Sequence, residues 1–185
     1  MKDGISTLNA WWNEGGLWQD TDLVRVRQSR LHYRPQPIPV SDVSQPGVIT
    51  LRGPRRVGKT VSLKLLIAQL IEDVGWNPRS ITWLTFDTVR TLGQAEELLV
   101  SVCGRQKPRL LVIDEVTSVV GWQKVIKKLR DTGVLAAVSV VATGSSTYDL
   151  RAGAERMAGR RGEIATPDRV LLPMSFPEFC AQLDQ

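Results

Sequence analysis

The sequence predicts an α/β fold built on a mainly parallel sheet with helices on its faces. Three observations carry that prediction. Short apolar, β-branched runs alternate with helical patterns from residue 47 onward, at Val48–Leu51, Ile81–Phe86, Leu110–Ile113 and Val138–Val141. That is the rhythm of parallel strands joined by crossover helices. The first run leads directly into Gly53-Pro54-Arg55-Arg56-Val57-Gly58-Lys59-Thr60, a G-x-x-x-x-G-K-T loop that opens a helix. The third run ends in two acids, Asp114 and Glu115, at the carboxyl edge where open α/β sheets bind ligands.

Taken in order, residues 1–46 read as an N-terminal extension rich in Trp, Arg and Pro, and residues 47–185 as the core. The extension holds a helix near Thr21–Arg30. Pro35-Gln36-Pro37-Ile38-Pro39 follows and cannot be helical. Pro46-Gly47 breaks the chain before the first strand. Helices are expected over Lys59–Asp73, with Val61, Leu65, Ala68, Leu70 and Ile71 along one side, and over Gln94–Val102 and Trp122–Arg130. Residues 151–168 hold many Arg and Gly and no apolar run, and read as a mobile loop. Val170-Leu171-Leu172 reads as the last strand, and Phe176-Pro177-Glu178-Phe179 begins a short helix.

Composition narrows the function classes. The 185 residues are 42% hydrophobic and 23% charged, ordinary for a soluble globular domain. No apolar run approaches the roughly 20 residues of a membrane span. The N-terminus is unlike a secretory signal, so a cytoplasmic location is the default. Two cysteines far apart and a single histidine, His32, argue against a His/Cys zinc cluster. The net charge of +5 permits an anionic partner. Arg25, Arg27, Arg30, His32 and Arg34 lie near Trp11, Trp12 and Trp18. The tryptophans are expected to pack the extension onto the core, the arginines to be a solvated helix face. Nucleic-acid contact is therefore expected to be weak and salt-dependent.

The chemistry concentrates in three places. In the G-x-x-x-x-G-K-T spacing, that of P-loop NTPases, the glycine-flanked loop lets successive N–H groups form an anion nest. Lys59 then reaches the β- and γ-phosphates of ATP, and the Thr60 hydroxyl ligates Mg²⁺. The helix beginning there, through Val61, adds its dipole. Asp114 is the candidate that holds Mg²⁺ through its water shell. Glu115 is the candidate that polarises the attacking water. Val140 to Ser146 is an apolar strand ending in small hydroxyl residues, which makes Ser145 or Ser146 a candidate sensor of the γ-phosphate. Beyond it, Arg151, Arg156, Arg160 and Arg161 crowd the loop, and at least one of them is a candidate to place a guanidinium on the nucleotide, in its own chain or a neighbour's.

GPRRVGKT, LLVIDEV, ATGSS, AGRRGEI and LLPMSFPEF together resemble the bacterial and archaeal AAA-type ATPases in which an AAA_14-like ATP-binding domain precedes a C-terminal DUF4143 domain. Trp11-Trp12 and Trp18 resemble one branch of that group. The resemblance implies a three-layer P-loop NTPase fold of the additional-strand, catalytic-glutamate (ASCE) type, with sheet order 5-1-4-3-2. It implies that Lys59 and Thr60 bind phosphate and Mg²⁺, that Asp114 and Glu115 are the metal and catalytic acids, that Ser145 is the sensor and that Arg160 is a finger candidate. Such proteins are usually more than twice as long, so a missing C-terminal domain, a chain end with exposed apolar groups at Leu171, Leu172, Phe176 and Phe179, and self-association are expected. The leading reading is Mg²⁺-dependent ATP hydrolysis. A small-molecule P-loop kinase and a non-hydrolysing nucleotide switch are the alternatives. A GTPase is disfavoured because no N-K-x-D motif occurs.

Overall fold

A computed structural model describes residues 2–30, 33–145, 150–151, 157, 159 and 161–183. Five strands form one parallel sheet: β1 Gly47–Arg52, β2 Ile81–Thr85, β3 Leu110–Asp114, β4 Ser139–Thr143 and β5 Asp168–Val170, in spatial order β2-β3-β4-β1-β5. This is the expected order, 5-1-4-3-2, read from the other edge. The described helices are α1 Lys2–Leu8, α2 Thr21–Gln28, α3 Val40–Val43, α4 Lys59–Glu72, α5 Leu92–Gln106, α6 Trp122–Asp131 and α7 Phe176–Leu183. Short 3₁₀ turns at Ala10–Trp12 and Gly16–Gln19 lie within the extension.

The period-2 geometry of the strands sorts their side chains onto two faces. Val48, Leu84, Leu111, Ile113, Val140 and Ala142 enter one core, shared with Leu99 of α5 and Ile126 of α6. Ile49, Leu51, Ile81, Trp83, Leu110, Val112 and Val141 enter the other, shared with Leu63, Ile67 and Leu70 of α4. The result is three layers. Trp11, Trp12, Leu17 and Leu23 of the extension belong to the second core and are buried, as the sequence led one to expect of the tryptophans.

The extension also closes the sheet edge at β2. The Asn9 amide donates to the Trp83 carbonyl at 2.9 Å and accepts from the Trp83 N–H at 2.6 Å, as a neighbouring strand would. The indole N–H groups of Trp11 and Trp12 both donate to the Ile81 carbonyl, at 3.2 and 2.8 Å. A bare edge invites pairing with another chain, so covering it has a clear physical value. Asn9→Ala is expected to destabilise the fold by about 2–4 kcal/mol, because it strands two buried backbone groups. Urea unfolding measures this; a loss under about 0.5 kcal/mol, the range of ordinary surface substitutions, would show that the edge is satisfied another way.

Two sequence expectations shift. The last strand lies at Asp168–Val170 instead of Val170–Leu172. It is an edge strand that buries little, so its position is set by polar contacts and not by the apolar run. Thr50 Oγ donates to Asp168 at 2.5 Å. The Arg161 guanidinium donates to Asp168, Thr50, Pro167 and Val48 at 2.9–3.3 Å. Arg161, one of four arginines offered above to the nucleotide, is therefore a clamp between β1 and β5. The chain end is also only partly as expected. Leu172 and Phe176 are 65% and 78% exposed and Phe179 40%, whereas Leu171 is buried in the second core. Its N–H donates to the Arg52 carbonyl at 2.8 Å, which holds it against the sheet. Ser175 and Glu178 cap α7 reciprocally, the Ser175 N–H donating to the Glu178 carboxylate at 2.6 Å and the Glu178 N–H to Ser175 Oγ at 3.4 Å.

Candidate functional site

The loop between β1 and α4 is shaped by two glycines. A Cβ at Gly53 would lie 2.3 Å from the Leu171 carbonyl oxygen, so no larger residue fits where β1 leaves the sheet. Gly58, at φ +99°, turns the chain into α4 in a conformation that side chains disfavour. Arg56 also has positive φ, +63°. Val57 packs back against the second core, which ties the loop's centre down. Helix α4 then starts at Lys59 with its first N–H groups free of intrahelical partners, an arrangement suited to anions. The Lys59 side chain is 8% exposed and spans the loop, its ammonium donating to the Gly53 and Pro54 carbonyls at 2.9 Å each. One of its three N–H groups is left for a further acceptor.

Strand β3 brings Asp114 to Thr60. The Thr60 hydroxyl donates to Asp114 Oδ2 at 3.2 Å, and the Glu115 N–H donates to Oδ1 at 3.0 Å. Burial raises the Asp114 carboxyl above the usual range. Those two donors pull it back, and the charges of Glu115 and Asp87 raise it further. A half-buried carboxylate paired with a hydroxyl offers two hard oxygens, the donor type that Mg²⁺ takes. A nearby cation would offset the cost of burying that charge.

Glu115 sits just beyond β3 at φ +51°, a left-handed conformation that costs a non-glycine residue about 1–3 kcal/mol and clusters at functional sites. Its carboxylate reaches the end of β4, where Oε2 accepts from the Ser145 N–H at 3.0 Å. Ser145 Oγ in turn accepts from Arg55 at 3.5 Å. Gly144, just before it, has no room for a Cβ, which would meet the Thr117 side chain at 2.7 Å. The ends of β3 and β4 are thus held together at the mouth of the loop.

These groups line one cleft of about 780 Å³: Arg55, Arg56, Gly58, Lys59, Thr60, Val61, Asp114, Glu115 and Ser145, all expected from the sequence. Gly53, Pro54 and Val57 support the loop behind it. Ser146, Arg156 and Arg160 lie outside the described residues. Four cleft residues were not anticipated there: Asp22 and Arg25 from α2, Asp87 after β2, and Ser118. Arg25 did stand out in the sequence, within a basic stretch read as a solvated face; nothing in its local pattern pointed to the loop. Among the described residues no group of three or more His, Cys, Asp or Glu side chains is placed to hold a metal.

A family model for the AAA domain matches residues 45–180. The chain belongs to the AAA domain family. This AAA domain is 30% identical over 159 residues to an uncharacterized protein of Haemophilus influenzae, a match that takes in 82% of this chain and 37% of that protein. The chain therefore spans little more than a third of that relative. Among solved structures, the Aeropyrum pernix ORC2 protein, determined in ADPNP–ADP complexes, aligns with TM-score 0.52 at 11% identity, over 82% of this chain and 52% of its own. A KaiC-like protein from Pyrococcus horikoshii aligns with TM-score 0.45 at 14% identity, over 66% of this chain and 77% of its own. At such identities the likeness to ORC2 concerns the fold. It agrees with the sheet order and the strand–loop–helix at β1 in giving the AAA domain a P-loop NTPase architecture.

Proposed function

We propose that this AAA domain binds ATP with Mg²⁺ and hydrolyses it to ADP and phosphate. The observation that carries the reading is the hydrogen-bonded Thr60–Asp114 pair, set in one cleft with the Gly53–Thr60 loop and with Glu115. Loop N–H groups and the remaining Lys59 donor hold the outer phosphates. Thr60 and Asp114 hold Mg²⁺, which supplies neutralisation of phosphate charge. Glu115 keeps Oε2 on the Ser145 N–H and turns Oε1 to a water, accepting its proton as the water attacks. The Ser145 hydroxyl contacts the γ-phosphate. Arg160 is the candidate finger, acting in its own chain or from a neighbouring copy.

The deciding experiment is phosphate release from ATP without any added acceptor, with Mg²⁺ present and then with a chelator. Steady release that stops on chelation is the expected result. Tight nucleotide binding with no release would favour a switch, and release only with an acceptor a kinase. Asp114→Asn is expected to keep nucleotide binding near that of the parent but to raise the Mg²⁺ concentration for half-maximal turnover about tenfold or more, the cost of losing one charged contact. A Mg²⁺ titration of initial rates checks this. An unchanged midpoint would remove Asp114 from the metal site.

No helix among the described residues is long and apolar enough to cross a membrane. The exposed Leu172, Phe176 and Phe179 support the expectation of self-association or of cover by a further domain. Weak, salt-dependent nucleic-acid contact fits the way arginines already stack on the tryptophans, Arg27 on Trp18 at 5.3 Å and Arg79 on Trp12 at 5.4 Å.

A further inference from the structure

We infer that Arg25, on α2 of the N-terminal extension, supplies a guanidinium in cis to the terminal phosphate of the bound nucleotide. The inference rests on the nucleotide reading above and adds to it a catalytic residue from outside the core motifs. Arg25 lines the same cleft as Lys59, Thr60, Asp114 and Glu115. Its helix is fixed there by charge. Asp20 caps α2, its carboxylate accepting from the Asp22 and Leu23 N–H groups at 3.0 and 3.3 Å. Lys64 of α4 then bridges Asp20 and Asp22, at 2.7 Å to each. Lys64 stands four residues after Thr60, hence on the same face of α4. The bridge therefore seats α2 beside the metal-site threonine, and not beside Gly53 at the far end of the loop. A second cavity of about 320 Å³ repeats this juxtaposition, lined by Asp20, Thr21 and Lys64 together with Thr60, Asp87 and Asp114.

The charges around Arg25 leave it available. Asp22, three residues earlier on the same face of α2, is already paired with Lys64. Other arginines of this segment are engaged elsewhere: Arg27 stacks on Trp18, and Arg34 donates to the Val26 carbonyl at 2.9 Å. Among the described residues no ion pair or hydrogen bond holds the Arg25 guanidinium, which is exposed toward the cleft. A planar fork of donors over the metal side of a phosphate cleft is suited to bidentate contact with γ-phosphate oxygens. There it binds ATP in preference to ADP and stabilises the charge that shifts as water displaces ADP.

The test uses the full chain with Arg25→Ala and Arg25→Lys, reading affinity for a non-hydrolysable ATP analogue and for ADP, and turnover. Arg25→Ala is expected to weaken the analogue about 10–100-fold, the worth of a charge-assisted contact, and to change ADP affinity less than about twofold. Turnover is expected to fall about a thousandfold, at the low end for an arginine finger. Arg25→Lys should recover part of the analogue affinity. Mixing Arg25→Ala with Glu115→Gln protein should restore nothing, because both groups act within one chain; recovery on mixing would overturn the cis assignment. Equal losses for analogue and ADP, or no loss, would also overturn it while leaving the nucleotide reading intact. A parent protein that binds neither nucleotide would overturn both.

Discussion

Lys59→Ala is expected to abolish ATP binding while the protein stays folded. The side chain is nearly buried, and its ammonium bridges the Gly53 and Pro54 carbonyls across the loop. It is thus pre-positioned, and little side-chain entropy remains to be lost when phosphate arrives. Its remaining donor is the ammonium proton held at the centre of the loop, where β- and γ-phosphate charge converges. That one charge-assisted hydrogen bond, with the full charge of the ammonium behind it, accounts for about 100-fold in affinity. The loop's shape rests on other contacts: the fit of Gly53 against Leu171, the left-handed turn at Gly58, and the Ser62 N–H donating to the Gly58 carbonyl at 2.8 Å. Titration of a fluorescent ATP analogue, with circular dichroism to confirm the fold, checks the result. Unchanged affinity in a folded variant would sink the phosphate-loop assignment.

The parts of the site that were legible in the sequence are those whose geometry is local. Gly53 to Thr60 is one loop, and its spacing encodes the strand before it, the turn and the helix after it. Asp114 and Glu115 stood out because a buried apolar strand ends in them at the carboxyl edge of the sheet, beside the loop. The left-handed backbone at Glu115 carries no sequence signal. Contacts made across the chain were illegible for the same reason. Asn9 meets Trp83, Trp12 meets Ile81, and Lys64 meets Asp20, with separations of 74, 69 and 44 residues. Each is set by the packing of finished elements. Which of the four arginines clamps the edge strand was illegible too, because a guanidinium in a glycine-rich stretch looks the same whether it faces phosphate or, like Arg161, holds β5. The strand it clamps was misplaced by two residues because polar contacts, and not apolar burial, set its register.

Glu115→Gln is expected to leave ATP binding intact and to reduce turnover by about a hundredfold or more, the usual contribution of a general base. The geometry makes this a clean substitution. One carboxylate oxygen only accepts, from the Ser145 N–H at 3.0 Å, and the amide oxygen of glutamine keeps that bond. The strained backbone at Glu115 is untouched, since the side chains have the same size and branching. Asp114 keeps the Glu115 N–H as a donor, because that bond comes from the main chain. What is lost is the second carboxylate oxygen, replaced by an NH₂ that donates where a water proton must be accepted. Binding and chemistry should therefore separate: the variant saturates with ATP at the parent's concentrations but releases phosphate slowly, and it holds ATP instead of ADP after incubation. Single-turnover phosphate release together with an equilibrium titration reads both quantities. Parental turnover in this variant would move the base elsewhere in the cleft. Asp87, the remaining carboxylate beside Asp114 there, would become the candidate to test. A loss of binding equal to the loss of turnover would instead mean that Glu115 shapes the cleft without taking part in the chemistry.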